Sequence, residues 1–378
     1  MPQNPLLQLR ELGQSVWLDN IDRTLLTSGE LERLVRDGEV QGVTSNPTIF
    51  QKAISTCALY DPEIQALSKE GRDTLAIYDE LSRHDIRAAA TILEPIYEAT
   101  QGRDGYVSIE VSPTLAHDLA GTIAEAKHLF ATLAQPNVMI KVPATQAGVA
   151  AVTELIAAGV NVNATLIFSP DNYEQIARAY IAGLQRLAAR GAPLESIASV
   201  ASFFVSRVDT VVDKLLDARL RETKDPATQD QIRRLFGKAA IANAKIAYER
   251  FKRIFSEESF LSLQRQGARV QRPLWASTST KNPAYRDVMY VEELIGPDTV
   301  NTMPPATLDA FRDHGRVRDS LEENVEGAHK TFERLAELGI DLERVYVDLQ
   351  TAGIQAFAES FNDLLTCIRQ RQAQLKHA

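Results

Sequence analysis

The segment "PNVMIKVPAT" (136–145) alternates like a buried β-strand with one residue out of place: Val138, Ile140 and Val142 point one way, Met139 and Lys141 the other. An ammonium group inside an apolar strand is costly to desolvate, so a lysine there calls for a reason. Two carboxylates occupy comparable places, Asp19 in "SVWLDN" and Glu110 in "YVSIEV". A lysine amine freed of its proton attacks a ketone carbonyl and forms a Schiff base. The protonated imine draws in electrons and stabilises the carbanion left when a neighbouring C–C bond breaks. Nearby carboxylates can then move the protons that carbinolamine formation, dehydration and cleavage require. Taken singly, each residue has a plainer reading. A buried lysine beside a glutamate is often a structural ion pair.

No metal is required for this chemistry. The six histidines form no H-x-x-x-H or similar pair, which disfavours a metal-dependent aldolase. No metal and no cofactor are expected.

Eight short β-branched runs are strand candidates, at 15–20, 42–47, 106–111, 137–142, 160–168, 197–205, 272–278 and 299–304. Helical patterns separate most of them, which implies parallel pairing through right-handed crossovers. Eight such units predict an α/β protein with a closed (β/α)8 TIM barrel. The alternative, an open doubly wound sheet, would usually carry a glycine-rich nucleotide turn, and no G-x-G-x-x-G occurs. Asn46-Pro47, Ser112-Pro113 and Ser169-Pro170 each place a capping residue before a proline at a helix start. The stretches 71–101 and 226–265 exceed a minimal barrel and read as helical insertions or paired helices. A helical tail over about 319–375 has an apolar face that should pack on the barrel. With no repeat and no clear linker, residues 1–378 read as a single domain.

Buried barrel strands should be almost continuously apolar. The polar exceptions fall on one parity: Asp19, Thr44 and Asn46, Ser108 and Glu110, Lys141, Asn163 and Thr165, Ser202. If the apolar set faces the helices, this set faces the barrel axis. Most of it lies towards the C-terminal strand ends, where barrel active sites sit. Inward Asn, Thr and Ser are often satisfied core polars. As donors they could also hold the hydroxyls of a sugar fragment. Arg207, at a helix start after strand six, and Ser277 and Lys281, after strand seven, are candidates for a phosphate site. The plainer readings are an ion pair from Arg207 to Asp209 or Glu249, and simple solvent exposure of Lys281.

A net charge of -9 argues against nucleic acid as the main partner, while a local basic pocket for a small phosphate remains open. The two cysteines, Cys57 and Cys367, lie far apart, so a disulfide framework is not expected and a reducing cytoplasm fits. The start of the sequence lacks the apolar core of a signal peptide. No apolar run approaches the ~20 residues a membrane helix needs, so no membrane is expected.

The motifs "GVTSNPTIFQKAI", "VSIEVSP", "VMIKVPAT", "NVNATLIFS", "ASFFVSRVD" and "WASTSTKNPAY…NTMPPATLDAF" closely resemble the transaldolase family in its longer bacterial form, in order from about residue 15 to 311. The resemblance implies a cytoplasmic class I enzyme of the pentose phosphate pathway. Such an enzyme transfers a dihydroxyacetone unit from sedoheptulose 7-phosphate to glyceraldehyde 3-phosphate, giving erythrose 4-phosphate and fructose 6-phosphate. It also implies sugar phosphates as partners and a monomer or homodimer.

By the same resemblance, Lys141 is the Schiff-base lysine and Glu110 the acid/base acting through a water that Thr165 places. Asp19 handles the proton of the C4 hydroxyl. Asn46, Asn163 and Ser202 hold the dihydroxyacetone moiety, and Arg207 and Ser277 the phosphate. Lys281 stands where some relatives carry Arg nearer to the serine. The nearest rival is a fructose 6-phosphate aldolase, which carries Gln at the place of Glu110 and Tyr at that of Phe204. Glu and Phe here favour transfer. A non-catalytic sugar-phosphate-binding barrel is the rival from another class, and it would be expected to lose the lysine or a carboxylate.

Overall fold

A computed structural model of the chain describes residues 4–375, so residues 1–3 and 376–378 of the expected domain lie outside the described residues. The strands are β1 (Gln14–Leu18), β2 (Gly42–Thr44), β3 (Tyr106–Glu110), β4 (Val138–Pro143), β5 (Val162–Ile167), β6 (Ser199–Phe204), β7 (Arg272–Ala276) and β8 (Thr299–Met303). They close into a barrel in chain order, and β1 pairs parallel with β8. This is the expected (β/α)8 barrel. Every strand residue is buried.

The observed strands mostly stop short of the expected ends. Asp19, Asn46 and Ser277 therefore sit just past the strands, in the loops at the C-terminal end of the barrel. Asn46 caps the helix Pro47–Thr56, accepting from Ile49 N at 3.0 Å, and Ser169 caps Pro170–Ala188 through Asn172 N at 3.0 Å. Ser112 departs from the expectation. Only a 3-10 turn, Pro113–Leu115, follows it, and its hydroxyl pairs with Thr114 Oγ1 at 2.8 Å. The long helix that follows starts at Leu119 and is capped by Asp118.

Residues 74–99 form one helix, Thr74–Ala99. The stretch 226–265 is instead broken into Pro226–Arg233, Ala239–Phe255 and Glu258–Gln264. Gly237, at φ +68°, makes the first break in a left-handed conformation that favours glycine. The tail holds Val325–Glu337 and the C-terminal helix Leu342–Leu375. In that last helix Val345, Tyr346, Leu349, Gly353, Phe357, Phe361, Leu364 and Ile368 are buried, an apolar stripe at helical spacing. The stripe packs against Pro47–Thr56, as the apolar face predicts.

The N-terminal end of the barrel is plugged by inward polar groups. Trp17 Nε1 donates to Asp104 Oδ1 at 2.7 Å, and Arg272 Nη1 donates to Ser15 Oγ at 2.6 Å. Arg272 also lies 3.4 Å from the Asp104 carboxylate, which accepts from the Ser15 hydroxyl. Gly42 makes room for the Trp17 ring: a Cβ there would lie 2.5 Å from it. Among the described residues no helix is long and apolar enough to cross a membrane.

Candidate functional site

A cavity of about 1140 Å³ opens at the C-terminal strand ends. Nine of the candidate site residues line it, Asp19, Asn46, Lys141, Thr165, Ser202, Phe204, Arg207, Ser277 and Lys281, as does Thr44 of the inward set. Glu110 and Asn163 do not. They flank Lys141 on the neighbouring strands, in register with it on β3 and β5.

Lys141 is 5% exposed. Its Nζ donates to Ser45 O at 3.1 Å and lies 3.7 Å from Glu110 Oε2, an ion-pair distance too long for a hydrogen bond. Both Glu110 carboxylate oxygens are buried with no protein hydrogen-bond partner. Burial pushes the Glu110 carboxyl up to about 7, against the opposing pull of Lys141. Thr165 Oγ1 is likewise buried and unpartnered. These three oxygens can therefore bond a water or a substrate hydroxyl. Asn163 is engaged at both ends of its amide, donating to Ser108 Oγ at 3.0 Å and accepting from Ser202 Oγ at 2.7 Å. It bridges β3 and β6 beneath the cavity.

Asp19 follows β1 directly, and its backbone N donates to Met303 O at 2.8 Å. Its Oδ1 accepts from Thr44 Oγ1 at 2.7 Å, and that hydroxyl is itself 2.6 Å from Thr302 Oγ1. Burial raises the Asp19 pKa, while the Thr44 hydrogen bond and then the positive fields of Lys141, Lys281 and Arg207 oppose the rise. The hydroxyl pair steadies one oxygen of this carboxylate at the cavity wall.

At the other side, the Phe204 ring lies 5.3 Å from that of Phe168, and the Arg207 guanidinium stands 5.2 Å over Phe204. The plainer reading of Arg207 is overturned. Asp209 instead accepts from Tyr290 OH and Ala240 N, both at 2.8 Å, and Glu249 pairs with His329 at 2.8 Å. Burial draws the Arg207 pKa down, with Asp19 opposing. Ser277, in a left-handed turn at φ +56°, has its hydroxyl 3.0 Å from Ser206 Oγ. Lys281 is exposed at the cavity mouth, and its Nζ donates to Ser279 Oγ at 2.6 Å. Burial and the nearby Arg207 lower its pKa. Arg207, Ser277 and Lys281 thus share one wall of the cavity.

Several groups at this site were not singled out from the sequence. The Ser45 carbonyl that receives Lys141 carries no side-chain signal. Thr302 is another: its hydroxyl pairs with that of Thr44, a member of the inward set, which steadies Asp19. Phe357, from the C-terminal helix, also lines the cavity, although that helix has no strand parity to read.

The family described as transaldolase/fructose-6-phosphate aldolase matches residues 16–368. A transaldolase of Trichodesmium erythraeum is 45% identical over 377 residues, 99% of each chain. A transaldolase 2 of a Nostoc species is 47% identical over 371 residues, 97% of each chain. A transaldolase of Frankia alni is 45% identical over 369 residues, again 97% of each. With a barrel of this order and a match across nearly its whole length, the chain belongs to the transaldolase/fructose-6-phosphate aldolase family.

Proposed function

We propose that this protein is a transaldolase acting on sugar phosphates in the cytoplasm, with Lys141 as its Schiff-base residue and the whole chain serving one catalytic domain. The observation that carries the reading is the Lys141 amine, 3.7 Å from Glu110 Oε2 in the wall of a cavity that Asp19 also lines.

The neutral Lys141 amine attacks the C2 carbonyl of the ketose. A C–N bond forms and the carbonyl oxygen takes up a proton. Glu110, through a water held by Thr165, moves the protons that release the C2 oxygen as water and leave an imine. Asp19 then takes the proton from the C4 hydroxyl. The C3–C4 bond breaks, its electrons pass into the imine, and the aldose leaves while the enamine stays on Lys141. An incoming aldehyde is attacked by C3 of the enamine, and Asp19 returns its proton to the new hydroxyl. Hydrolysis of the imine frees the new ketose.

Asn46 and Ser202 are suited to hold the dihydroxyacetone hydroxyls, with Asn163 fixing Ser202 from below. Arg207, Ser277 and Lys281 are suited to the phosphate. The donor would be sedoheptulose 7-phosphate and the acceptor glyceraldehyde 3-phosphate. The full-length relatives named transaldolase support transfer over release. A phenylalanine at 204 supports it too, having no hydroxyl to protonate the enamine.

The test supplies fructose 6-phosphate with and without erythrose 4-phosphate and quantifies the products. Turnover that requires the acceptor and yields sedoheptulose 7-phosphate is expected. Free dihydroxyacetone at a comparable rate without acceptor would make the protein an aldolase. Lys141→Ala should retain the fold and lose all turnover, and undiminished activity in that variant would remove the Schiff-base account.

A further inference from the structure

Thr165 sits beside an irregularity in β5. Ala164 pairs with Ala201 and Ile167 with Phe203, so β5 carries one more residue than β6 over this span. The extra residue is accommodated by Leu166, which is fully buried yet left-handed at φ +58°. A bulge of this kind re-aims side chains, and a non-glycine residue in this conformation persists only where its surroundings enforce it.

The C-terminal helix contributes to that enforcement, beside Asn172 of the helix Pro170–Ala188, whose Nδ2 donates to Ala144 O at 3.0 Å. Gln350 Nε2 donates to Leu166 O and to Ala144 O, both at 3.1 Å. Ala144 N in turn donates to Thr165 O at 2.7 Å. One amide thus holds a carbonyl on each side of the Thr165–Ala144 link. One turn along, Gly353 lies against Leu166, and a Cβ there would come within 2.9 Å of Leu166 Cδ2. One turn the other way, Tyr346 OH donates to Asn243 Oδ1 at 2.9 Å, and Asn243 Nδ2 donates to Phe168 O at 2.7 Å. Tyr346, Gln350, Gly353 and the cavity-lining Phe357 follow one another at spacings of four, three and four, a single helix face. None of the four reaches the Lys141 amine.

We infer that Gln350 is a positioning residue: from the C-terminal helix it pins the left-handed turn at Leu166 and so aims the Thr165 hydroxyl into the cavity, with Gly353 leaving the room the turn needs. This rests on the proposed role of Thr165 in Schiff-base chemistry.

The test uses full-length protein carrying Gln350→Met, which keeps length and removes the donor, or Gly353→Ala. Alanine is a better helix former than glycine, which offsets part of the crowding against Leu166, so the second variant should keep its fold. In both, kcat should fall about 10-fold or more, since misplacement by ~1 Å can cost about 100-fold. KM for fructose 6-phosphate should stay within about twofold. The rate at which borohydride traps the Lys141 adduct in a single turnover should fall with kcat. Amide hydrogen exchange over 165–168 should speed up in Gln350→Met, a readout independent of activity.

Parent-like kcat, trapping and exchange in both variants would overturn the inference. A lowered kcat that tracks lost thermal stability in Gln350→Met, with Gly353→Ala unaffected, would also overturn it, leaving Gln350 merely structural. Failure of the parent to form a trappable adduct would instead count against the Schiff-base reading, and the exchange experiment would then decide the positioning claim by itself.

Discussion

Lys141 and Glu110 are direct register partners on adjacent parallel strands, and their charged ends lie 3.7 Å apart with both side chains almost fully buried. Desolvation holds the Glu110 carboxyl at about 7 despite the amine beside it. In the proposed role of base Glu110 must be ionised, and it becomes protonated as the pH falls through that value. We therefore expect kcat/KM to decline below about pH 7, tenfold per unit once well below it. Glu110→Gln should lower kcat by about 100- to 10,000-fold and flatten this acid limb. A limb that stays in place in the variant would assign it to another group.

Phe204 shares the cavity wall with Arg207, whose guanidinium covers its ring. Phe204→Tyr adds a hydroxyl that can donate to the enamine carbon. We expect more free dihydroxyacetone per turnover, measured as the ratio of released to transferred product. An unchanged ratio would show that residue 204 does not govern partition.

The loop carrying Ser277 and Lys281 is tied to the helix that carries Arg207, Ser206–Glu222. Tyr285 OH donates to Asp213 Oδ2 at 2.6 Å and Tyr290 OH to Asp209 Oδ2 at 2.8 Å. Losing a hydrogen bond to a charged group costs about 1.5–3 kcal/mol, roughly 10- to 150-fold in affinity if it is spent wholly on phosphate binding. Tyr285→Phe should raise KM for fructose 6-phosphate by up to that factor and leave turnover of an unphosphorylated ketose unchanged. Equal effects on both substrates would mean the tie serves the fold alone.

The opposite end of the barrel makes a contrasting case. Asp104 receives Trp17 and faces Arg272 in a buried plug far from Lys141. Asp104→Ala leaves the guanidinium buried without its counter-charge, which should cost about 3–5 kcal/mol in urea unfolding. The folded fraction should keep parental kcat and KM, as expected where barrel stability and chemistry occupy opposite faces.

The barrel was legible because its strands announce themselves by alternation, and a polar residue at the wrong parity is conspicuous there. Lys141, Glu110 and Asp19 stood out for that reason. Depth within the barrel did not: Asn163 matches the inward pattern, yet it is absent from the cavity lining and its amide bonds Ser108 and Ser202. The bulge at Leu166 left no trace because "NATLIF" contains no glycine or proline to mark a left-handed residue. Gln350 and Phe357 were hidden because an amphipathic helix shows which face is buried, not what that face touches. Ser112 misled because a Ser-Pro pair satisfies a 3-10 turn as readily as an α-helix.

The C-terminal helix that packs on the barrel sets an order on synthesis. Lys141 leaves the ribosome early and β8 much later, and Phe357 follows all eight strands. A nascent chain that has already closed its barrel still lacks Phe357 from the wall of its cavity. The Lys141 amine is thus made well before the last residue that encloses its cavity, and the cavity wall is completed by the final helix rather than by the sheet.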